Sequence, residues 1–135
     1  DAMRTMVIIA CSMLAVLGAA LVVNAALKAP RISVQEAAGL LEQNEAVFID
    51  IRREEAWQSS DSKIKTAVRR NYKLAENWVR EYPKDTTLIV YDETRGESLS
   101  AMIALELIRE GYDRSYALRG GWPAWVAAGL PVEEK

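Results

Sequence analysis

Hydrophobic and polar positions divide the chain into two unlike parts. Residues 6–27 contain no charged side chain, and Ser12 and Asn24 are their only conspicuously polar members. As a helix this segment would be about 33 Å long at 1.5 Å per residue, which crosses a hydrocarbon core of about 30 Å with some tilt. The pattern therefore predicts a single transmembrane anchor helix within residues 1–28.

Two other interpretations of this segment stay open. In a cleaved signal peptide, Arg4 would supply the positive start and residues 23–25 an acceptable small-residue cleavage site. The sequence before Cys11 also matches a lipoprotein box that ends in this cysteine. A lipidated cysteine should be followed by polar residues, however, and the next 16 residues are mostly apolar. We favour the retained helix, and the initial Asp1 leads us to expect a processed or incomplete chain.

Small side chains line one face of the predicted anchor. Cys11, Ala15 and Ala19 recur every four residues, and Gly18 lies beside them. Such a face lets another helix approach closely, although small residues are common in membrane helices in any case. We expect membrane lipid and other membrane protein subunits as partners of this helix. The flanking charges are too few to orient it, so the side of the membrane that carries the soluble part stays undetermined.

From residue 33 onward the pattern alternates between helices and strands. Ser33 and Glu36 form a capping box ahead of apolar positions at helical spacing. Residues 46–51 and 87–91 are short apolar runs typical of buried strands. The other predicted elements are a short helix at 53–58, a polar loop at 59–66, a strand at 66–68, a helix at 74–82 that stops at Pro83, a helix at 98–110 ended by Gly111, a strand at 115–118 and a helix at 122–128.

This alternation predicts an α/β fold with a mostly parallel sheet covered by helices on both faces. Residues 29–32 would be a linker, and residues 33–135 the domain. Sites in such sheets lie at the carboxyl ends of strands. The candidate positions there are Asp50, Arg52, the loop 92–97, Arg119, Gly120 and Gly121.

The amino-acid composition excludes several kinds of catalytic and metal-binding site. The 135 residues include no His, and the one Cys, Cys11, lies in the apolar segment. This excludes, for the soluble part, a Ser-His or Cys-His nucleophile, a Cys/His zinc site and a disulfide, so we expect neither a metal nor a cofactor. The net charge of -2 is too small to indicate a nucleic-acid partner.

Two motifs at these strand ends resemble a known family. Residues 47–52 read VFIDIR, with EEAW at 54–57, and resemble the DVR element of rhodanese-like domains. Residues 120–132 read GGWPAWVAAGLPV and resemble the same family's GGxxxWxxAGLPV element almost letter for letter. Over roughly residues 31–132 the chain is identified as a member of the rhodanese-like family. The resemblance implies about five parallel strands between helices.

The resemblance also implies an active-site loop whose amides converge on an anion. Active members carry C-x-x-G-x-R there, in which the cysteine forms a persulfide and the arginine favours the anionic donor. Asp92 stands at the cysteine position and Glu97 at the arginine position, and the family's GHIPGA segment reads SKIKTA at 62–67. The loop residues here are Asp92, Glu93, Thr94, Arg95, Gly96 and Glu97.

These departures lead us to expect a catalytically degenerate site, that is, a pseudoenzyme rather than a sulfurtransferase or phosphatase. Asp92 could be a fixed anion in the amide cradle, paired with Arg119, Arg95 or Arg52, or simply a solvated loop residue. Glu97 could do no more than complement the dipole of the following helix.

The basic side chains outside the loop have two interpretations, and the tryptophans have one. Five cations could face anionic headgroups or an acidic partner, or form a solvated loop balanced by nearby acids. The four tryptophans are expected to pack in or near the core. The cations are Lys63, Lys65, Arg69, Arg70 and Lys73, and the tryptophans are Trp57, Trp78, Trp122 and Trp125.

The sequence as a whole favours a single-pass membrane protein whose rhodanese-like domain is a non-catalytic docking or assembly module of a larger membrane complex, for example a bioenergetic or photosynthetic one. The alternatives are an anion or small-ligand sensing domain that uses the altered loop, and an enzyme with relocated carboxylate chemistry.

Overall fold

The computed structural model describes residues 29–135. The predicted anchor helix, with its packing face of Cys11, Ala15, Gly18 and Ala19, lies outside the described residues. Within 29–135, no helix combines the length and the apolar character that crossing a membrane requires.

Strands and helices alternate along residues 29–135. The strands are β1 (Arg31–Ile32), β2 (Val47–Asp50), β3 (Ser62–Ile64), β4 (Val68–Arg69), β5 (Leu88–Tyr91), β6 (Ser115–Leu118) and β7 (Val132–Glu134). The helices are α1 (Val34–Glu42), α2 (Glu54–Gln58), α3 (Ala75–Trp78), α4 (Ser100–Arg109) and α5 (Gly121–Ala127). Short 3-10 helices at Tyr72–Leu74 and Val79–Glu81 flank α3.

The main sheet has five strands in the order β1-β6-β5-β2-β4, and every pair is parallel. The predicted parallel sheet of about five strands is therefore confirmed. In the centre, Asp50 at the end of β2 lies opposite Tyr91 at the end of β5. This register brings the segments that follow both strands to one edge of the sheet.

Helices cover both faces of this sheet, as the alternation predicted. Successive side chains of a strand point to opposite faces. Ile49 and Val90 pack with residues of α3 and α4 in one core cluster, whereas Phe48 and Ile89 pack with residues of α1 and α5 in another. The continuous apolar runs of β2 and β5 follow from this burial on two sides.

The predicted capping box forms at the start of α1. The Ser33 hydroxyl accepts a hydrogen bond from the Glu36 amide at 3.1 Å, which satisfies one of the amides that a helix leaves free in its first turn. Val34 and Ala37 of α1 are buried. The cap and the buried face together fix where the helix begins and how it lies on the sheet.

The prediction of a polar loop at 59–66 is wrong in part. Ser62–Ile64 forms β3, which pairs antiparallel with β7 in a separate two-stranded sheet. Strands of three residues show too little periodicity to be recognised along the chain. Ile64 is fully buried, so this small sheet belongs to the folded core.

Two further boundaries differ from the sequence pattern. Arg31–Ile32, within the segment assigned to a linker, pairs with Ala117–Leu118 as an edge strand. The predicted helix at 74–82 is one α-helical turn between two 3-10 turns, and the helical region begins earlier, at Tyr72.

The predicted packing role of two tryptophans agrees with the structure. Trp125 is fully buried and meets Phe48 edge to face, with ring centroids 5.7 Å apart. Its indole N–H donates to the Pro131 carbonyl at 2.9 Å. Trp78 is also buried, and its indole N–H donates to the Asn71 carbonyl at 2.9 Å. Each ring therefore enters the core with its polar atom satisfied.

Candidate functional site

Three segments meet at the carboxyl edge of the sheet, where the sequence placed its candidate residues. The loop after β5 contacts the loop after β6 through two hydrogen bonds. The Trp122 amide donates to the Asp92 carbonyl at 2.9 Å, and the Gly120 amide donates to a Glu97 carboxylate oxygen at 3.0 Å. The segment after β2 completes the edge through Asp50 and Arg52, which are both buried.

Asp92 is the centre of the loop after β5. Its side chain is fully buried and both of its oxygens accept hydrogen bonds. One oxygen accepts from the Thr94 amide at 2.6 Å and from the Thr94 hydroxyl at 2.5 Å. The other accepts from the amides of Leu99 at 3.0 Å and Ser100 at 2.6 Å. The carboxylate thus lies inside the curve of its own loop and does not face solvent.

Two of these donors belong to the start of α4. Leu99 is the N-cap residue and Ser100 the first helical residue, so helical carbonyls cannot satisfy their amides. The positive end of the helix dipole also favours a negative charge at this point. Asp92 therefore replaces an ordinary side-chain cap, because the Leu99 side chain has no atom that could accept these bonds.

Glu97 has a different role from the one its sequence position indicated. It lies before α4, in a left-handed backbone conformation with φ of 53°, and only 7% of it is exposed. Its carboxylate reaches across to the Gly120 amide. The interpretation of Glu97 as an acid in the first helical turn is corrected, since the helix begins three residues later and the side chain joins two loops instead.

Gly121 allows these loops to approach each other. Its φ is 60°, and a Cβ atom at this position would lie 2.4 Å from the Thr94 carbonyl oxygen and 2.8 Å from that of Asp92. Both distances are far below van der Waals contact, and both neighbours are backbone atoms. The double glycine recognised in the sequence therefore has a steric reason at its second position.

Arg52 does not pair with Asp92. It forms a buried ion pair with Asp50, with Nη2 2.8 Å from Oδ2, and Nη2 also donates to the Ser62 carbonyl at 2.9 Å. The Tyr91 hydroxyl donates to the same Asp50 oxygen at 2.6 Å. The remaining polar atoms of a buried ion pair also need hydrogen bonds, and Tyr91 and Ser62 supply some of them. Arg52 Nη1 is buried without a hydrogen-bond partner among the described residues.

Burial raises the pKa of Tyr91 far above its usual value, and the charge of Asp50 and the hydrogen bond to it raise the pKa further. Tyr91 therefore remains a donor to Asp50. The Arg52 guanidinium lies over the rings of Trp122 at 4.4 Å and Trp57 at 5.2 Å. These two tryptophans enclose a cation, which is a packing role more specific than the sequence indicated.

Glu93 and Arg53 form an exposed bridge beside the loop. Arg53 Nη1 lies 2.5 Å from a Glu93 oxygen, and the Arg53 amide donates to the other oxygen at 3.1 Å. Partial burial opposes ionisation of Glu93, but the hydrogen bonds from Arg53 and the backbone outweigh it and lower the pKa of Glu93. Arg95 and Arg119, the other candidate partners of Asp92, are exposed.

The five cations between residues 62 and 73 are mostly balanced by acids. Lys63 lies 3.3 Å from Glu133, and Arg69 lies 3.4 Å from Glu54. Arg70 pairs with Glu81, while Lys65 and Lys73 are exposed. This arrangement agrees with the interpretation of a solvated basic segment that nearby carboxylates neutralise. Across residues 29–135, no group of three or more acidic side chains is placed to hold a metal ion.

Sequence reasoning missed Tyr91, the Ser62 carbonyl and the two amides at the start of α4. Tyr91 ends an apolar strand, and nothing in that run separates a core tyrosine from one bonded to Asp50. The amides of Leu99 and Ser100 need an acceptor because they begin a helix, but Asp92 lies seven residues before Leu99, and no local capping pattern predicts an acceptor that far away.

The comparison with protein families agrees with this geometry. Residues 33–128 match the sequence model of the rhodanese-like domain. The chain belongs to the rhodanese-like family.

Curated relatives of this rhodanese-like chain include two bacterial proteins named thiosulfate sulfurtransferase GlpE. The protein of Glaesserella parasuis is 30% identical over 102 residues, which cover 76% of this chain and 91% of the relative. The protein of Actinobacillus succinogenes is 29% identical over 104 residues, covering 76% and 88%.

Solved structures show the same fold. A Lactobacillus plantarum protein superposes with a TM-score of 0.69 at 24% identity, covering 91% of this chain and 98% of that one. The human single-domain sulfurtransferase TSTD1 superposes with a TM-score of 0.64 at 16% identity, covering 73% and 96%.

These relatives correct one prediction. We expected the chain not to be an enzyme, because Asp92 and Glu97 replace the cysteine and arginine of active members and the segment 62–67 departs from the family pattern. The curated relatives are named as enzymes, and the similarity to this chain extends over most of their length. This contradicts that expectation. The departures at Asp92, Glu97 and residues 62–67 were weighed too heavily against the similarity of the whole domain.

Replacing Asp92 by asparagine tests the hydrogen-bonded loop. Asp92→Asn keeps the shape but turns an acceptor into an NH2 group that faces amide donors. We expect a loss of about 1–3 kcal/mol in the free energy of unfolding, measured by urea denaturation of the purified chain. Glu93→Gln is the control, because its exposed bridge contributes at most about 1 kcal/mol. Equal losses in the two variants would contradict the buried position of the Asp92 carboxylate.

Gly121 and Gly129 form a matched pair for the steric argument. Both have positive φ, 60° and 65°, but a Cβ at Gly129 would meet nothing within 4 Å. Gly121→Ala and Gly129→Ala share the backbone strain, so their difference reports the contact with the Asp92 loop. We expect Gly121→Ala to be less stable by about 2 kcal/mol or more in thermal or urea unfolding. A difference near zero would mean that the two loops do not touch as described.

Proposed function

We propose that this rhodanese-like domain is a docking and assembly module, which attaches its chain to other subunits of a larger membrane complex. The apolar segment 6–27 would supply the anchor. The domain would supply the contact outside the membrane, through the surface around the loop after β5.

The observation that carries the proposal is the buried carboxylate of Asp92. The amides of Thr94, Leu99 and Ser100 already have this acceptor. A loop whose polar groups are satisfied from within keeps one conformation, and a preformed surface binds a protein partner without the entropic cost of ordering. The exposed tip at Arg95 and Gly96 is then a fixed feature of the surface.

The filled cradle disfavours the alternative of an anion or small-ligand sensor. A ligand anion would have to displace Asp92 from its four hydrogen bonds. It would also enter next to Glu97, a second buried acid. Both effects oppose the binding of an anion at this point.

Sulfur transfer is the second candidate, and the names of the curated relatives favour it. Residues 29–135 contain no cysteine, and the one thiol of the chain, Cys11, lies outside the described residues. At the loop itself, the amides that bond Asp92 are the groups that would face a sulfur atom at position 92.

Site-specific photo-crosslinking in native membranes tests the docking function. Gly96 and Gly39 can each accept a side chain, since an added Cβ meets nothing within 4 Å. We expect a photo-reactive residue at Gly96 to give a discrete crosslink to another polypeptide, and the same residue at Gly39, on α1, to give none. A chain that yields no crosslink from Gly96 and migrates alone on native gels would contradict the proposal.

Thiocyanate formation from thiosulfate and cyanide tests the second candidate. In the double variant Asp92→Cys with Glu97→Arg, the loop carries the thiol and guanidinium of the family pattern. If the amide cradle can hold a sulfur anion, this variant forms thiocyanate at least about tenfold faster than Asp92→Cys alone, because Glu97 no longer repels the donor. No thiocyanate from either variant would show that the cradle of this chain does not support the reaction, and equal non-zero rates would show that the charge at position 97 does not limit it.

A further inference from the structure

We propose that Arg95 and Arg119 together form a docking surface for a carboxylate-rich segment of a partner protein. This inference rests on the proposed docking function and gives it a surface and a partner chemistry. It is carried by the position of the two arginines, their exposure and the rigidity of the backbone beneath them.

The two arginines lie on loops that touch each other. Arg95 lies between Thr94 and Glu97 in the loop after β5, and Arg119 directly precedes Gly120 after β6. The Glu97 carboxylate bonds the Gly120 amide at 3.0 Å. The Thr94 carbonyl is so close to Gly121 that a Cβ there would lie 2.4 Å away. Residues within two positions of each arginine are therefore in contact, so both arginines belong to one ridge formed by the two loops.

Both guanidinium groups are available for a partner. Arg95 and Arg119 are exposed, and within residues 29–135 neither makes an ion pair. In contrast, the other arginines near this edge are engaged with carboxylates. Arg52 pairs with Asp50, Arg53 with Glu93 and Arg69 with Glu54.

Among residues 29–135, the nearby acidic side chains do not form ion pairs with Arg95 or Arg119 at this surface. Asp92 and Glu97 are buried; both Asp92 oxygens accept hydrogen bonds from amides, and one Glu97 oxygen accepts the Gly120 amide. Glu93 is committed to Arg53. A partner that approaches the ridge therefore meets two exposed guanidinium groups, which suit bidentate bonding to carboxylates.

The fixed backbone beneath Arg95 and Arg119 lowers the entropic cost of binding a partner through these two side chains. Arg95 is carried by the loop that Asp92 closes, and the Arg119 amide donates to the Ile32 carbonyl at 2.9 Å. Binding has to order the two side chains but not the loops beneath them, which lowers the entropic cost.

A competing explanation is that the arginines only offset the charges of the buried acids Asp92 and Glu97. That explanation predicts a change in stability without a change in binding. The test therefore measures both quantities on the same variants.

The experiment uses the full chain in detergent and a fluorescein-labelled peptide of eight glutamates, with fluorescence anisotropy at low salt. We expect saturable binding that the double variant Arg95→Glu with Arg119→Glu weakens by at least about tenfold. Arg114→Glu is the matched control. Arg114 is also exposed, but it precedes β6 at the opposite edge of the sheet, so we expect less than about a threefold change.

Two results would overturn the proposal: no binding of the glutamate peptide by the natural chain, or equal weakening by the double variant and by Arg114→Glu. Thermal unfolding of the same variants checks that they are folded. If only the midpoint of unfolding changes and the affinity does not, the arginines offset buried charge and form no docking surface.

Crosslinking from Gly96 separates this inference from the proposed function. A crosslink that persists in the Arg95→Glu, Arg119→Glu background shows docking without the arginine pair, and this inference is then wrong while the function stands. A crosslink that disappears in that background but remains with Arg114→Glu supports both. Absence of any crosslink in the natural chain contradicts the function itself.

Discussion

The carboxylate of Asp92 is the group on which this edge of the molecule depends. It is fully buried and accepts hydrogen bonds from the amide and hydroxyl of Thr94 and from the amides of Leu99 and Ser100 at the start of α4. An anion with this many donors is stable away from water, because charge-assisted bonds replace its hydration. The backbone of the same residue accepts the Trp122 amide, so one residue joins β5, α4 and α5.

A second buried acid organises the neighbouring segment by the same physical rule. Asp50 bonds Arg52 and Tyr91, and the rings of Trp57 and Trp122 enclose the arginine. Removing one member of such a network leaves a buried polar atom without a partner, which is more destabilising than the net contribution of the pair. The carboxyl edge of the sheet is therefore a connected set of buried charges in which one atom, Arg52 Nη1, has no hydrogen-bond partner among the described residues. The hydrogen bonds of this set hold the exposed loops in place.

The larger helices and strands could be predicted from the sequence. For the site, the sequence indicated where it lies but not which hydrogen bonds form it. Helices α1 and α5 were recognisable, because Ser33 caps the first and the double glycine with Trp125 marks the second. The strands β3 and β7 were not, since three residues carry no periodicity and their pairing partners lie far apart along the chain. The acceptor role of Asp92 and the bond from Gly120 to Glu97 depend on how two loops meet, and no local pattern encodes that contact. The expectation that the chain is not an enzyme is contradicted by the named relatives, because it rested on departures at a few positions and not on the similarity of the whole domain.

Amide hydrogen exchange at the start of α4 tests the central role of Asp92 most directly. No helical carbonyl can accept a hydrogen bond from the amides of Leu99 and Ser100, so the Asp92 carboxylate is the acceptor that can protect these two buried amides. We expect both amides to exchange at least about tenfold more slowly than those of Arg95 and Gly96 at the exposed loop tip. Exchange of Leu99 and Ser100 as fast as that of the loop tip would contradict this expectation.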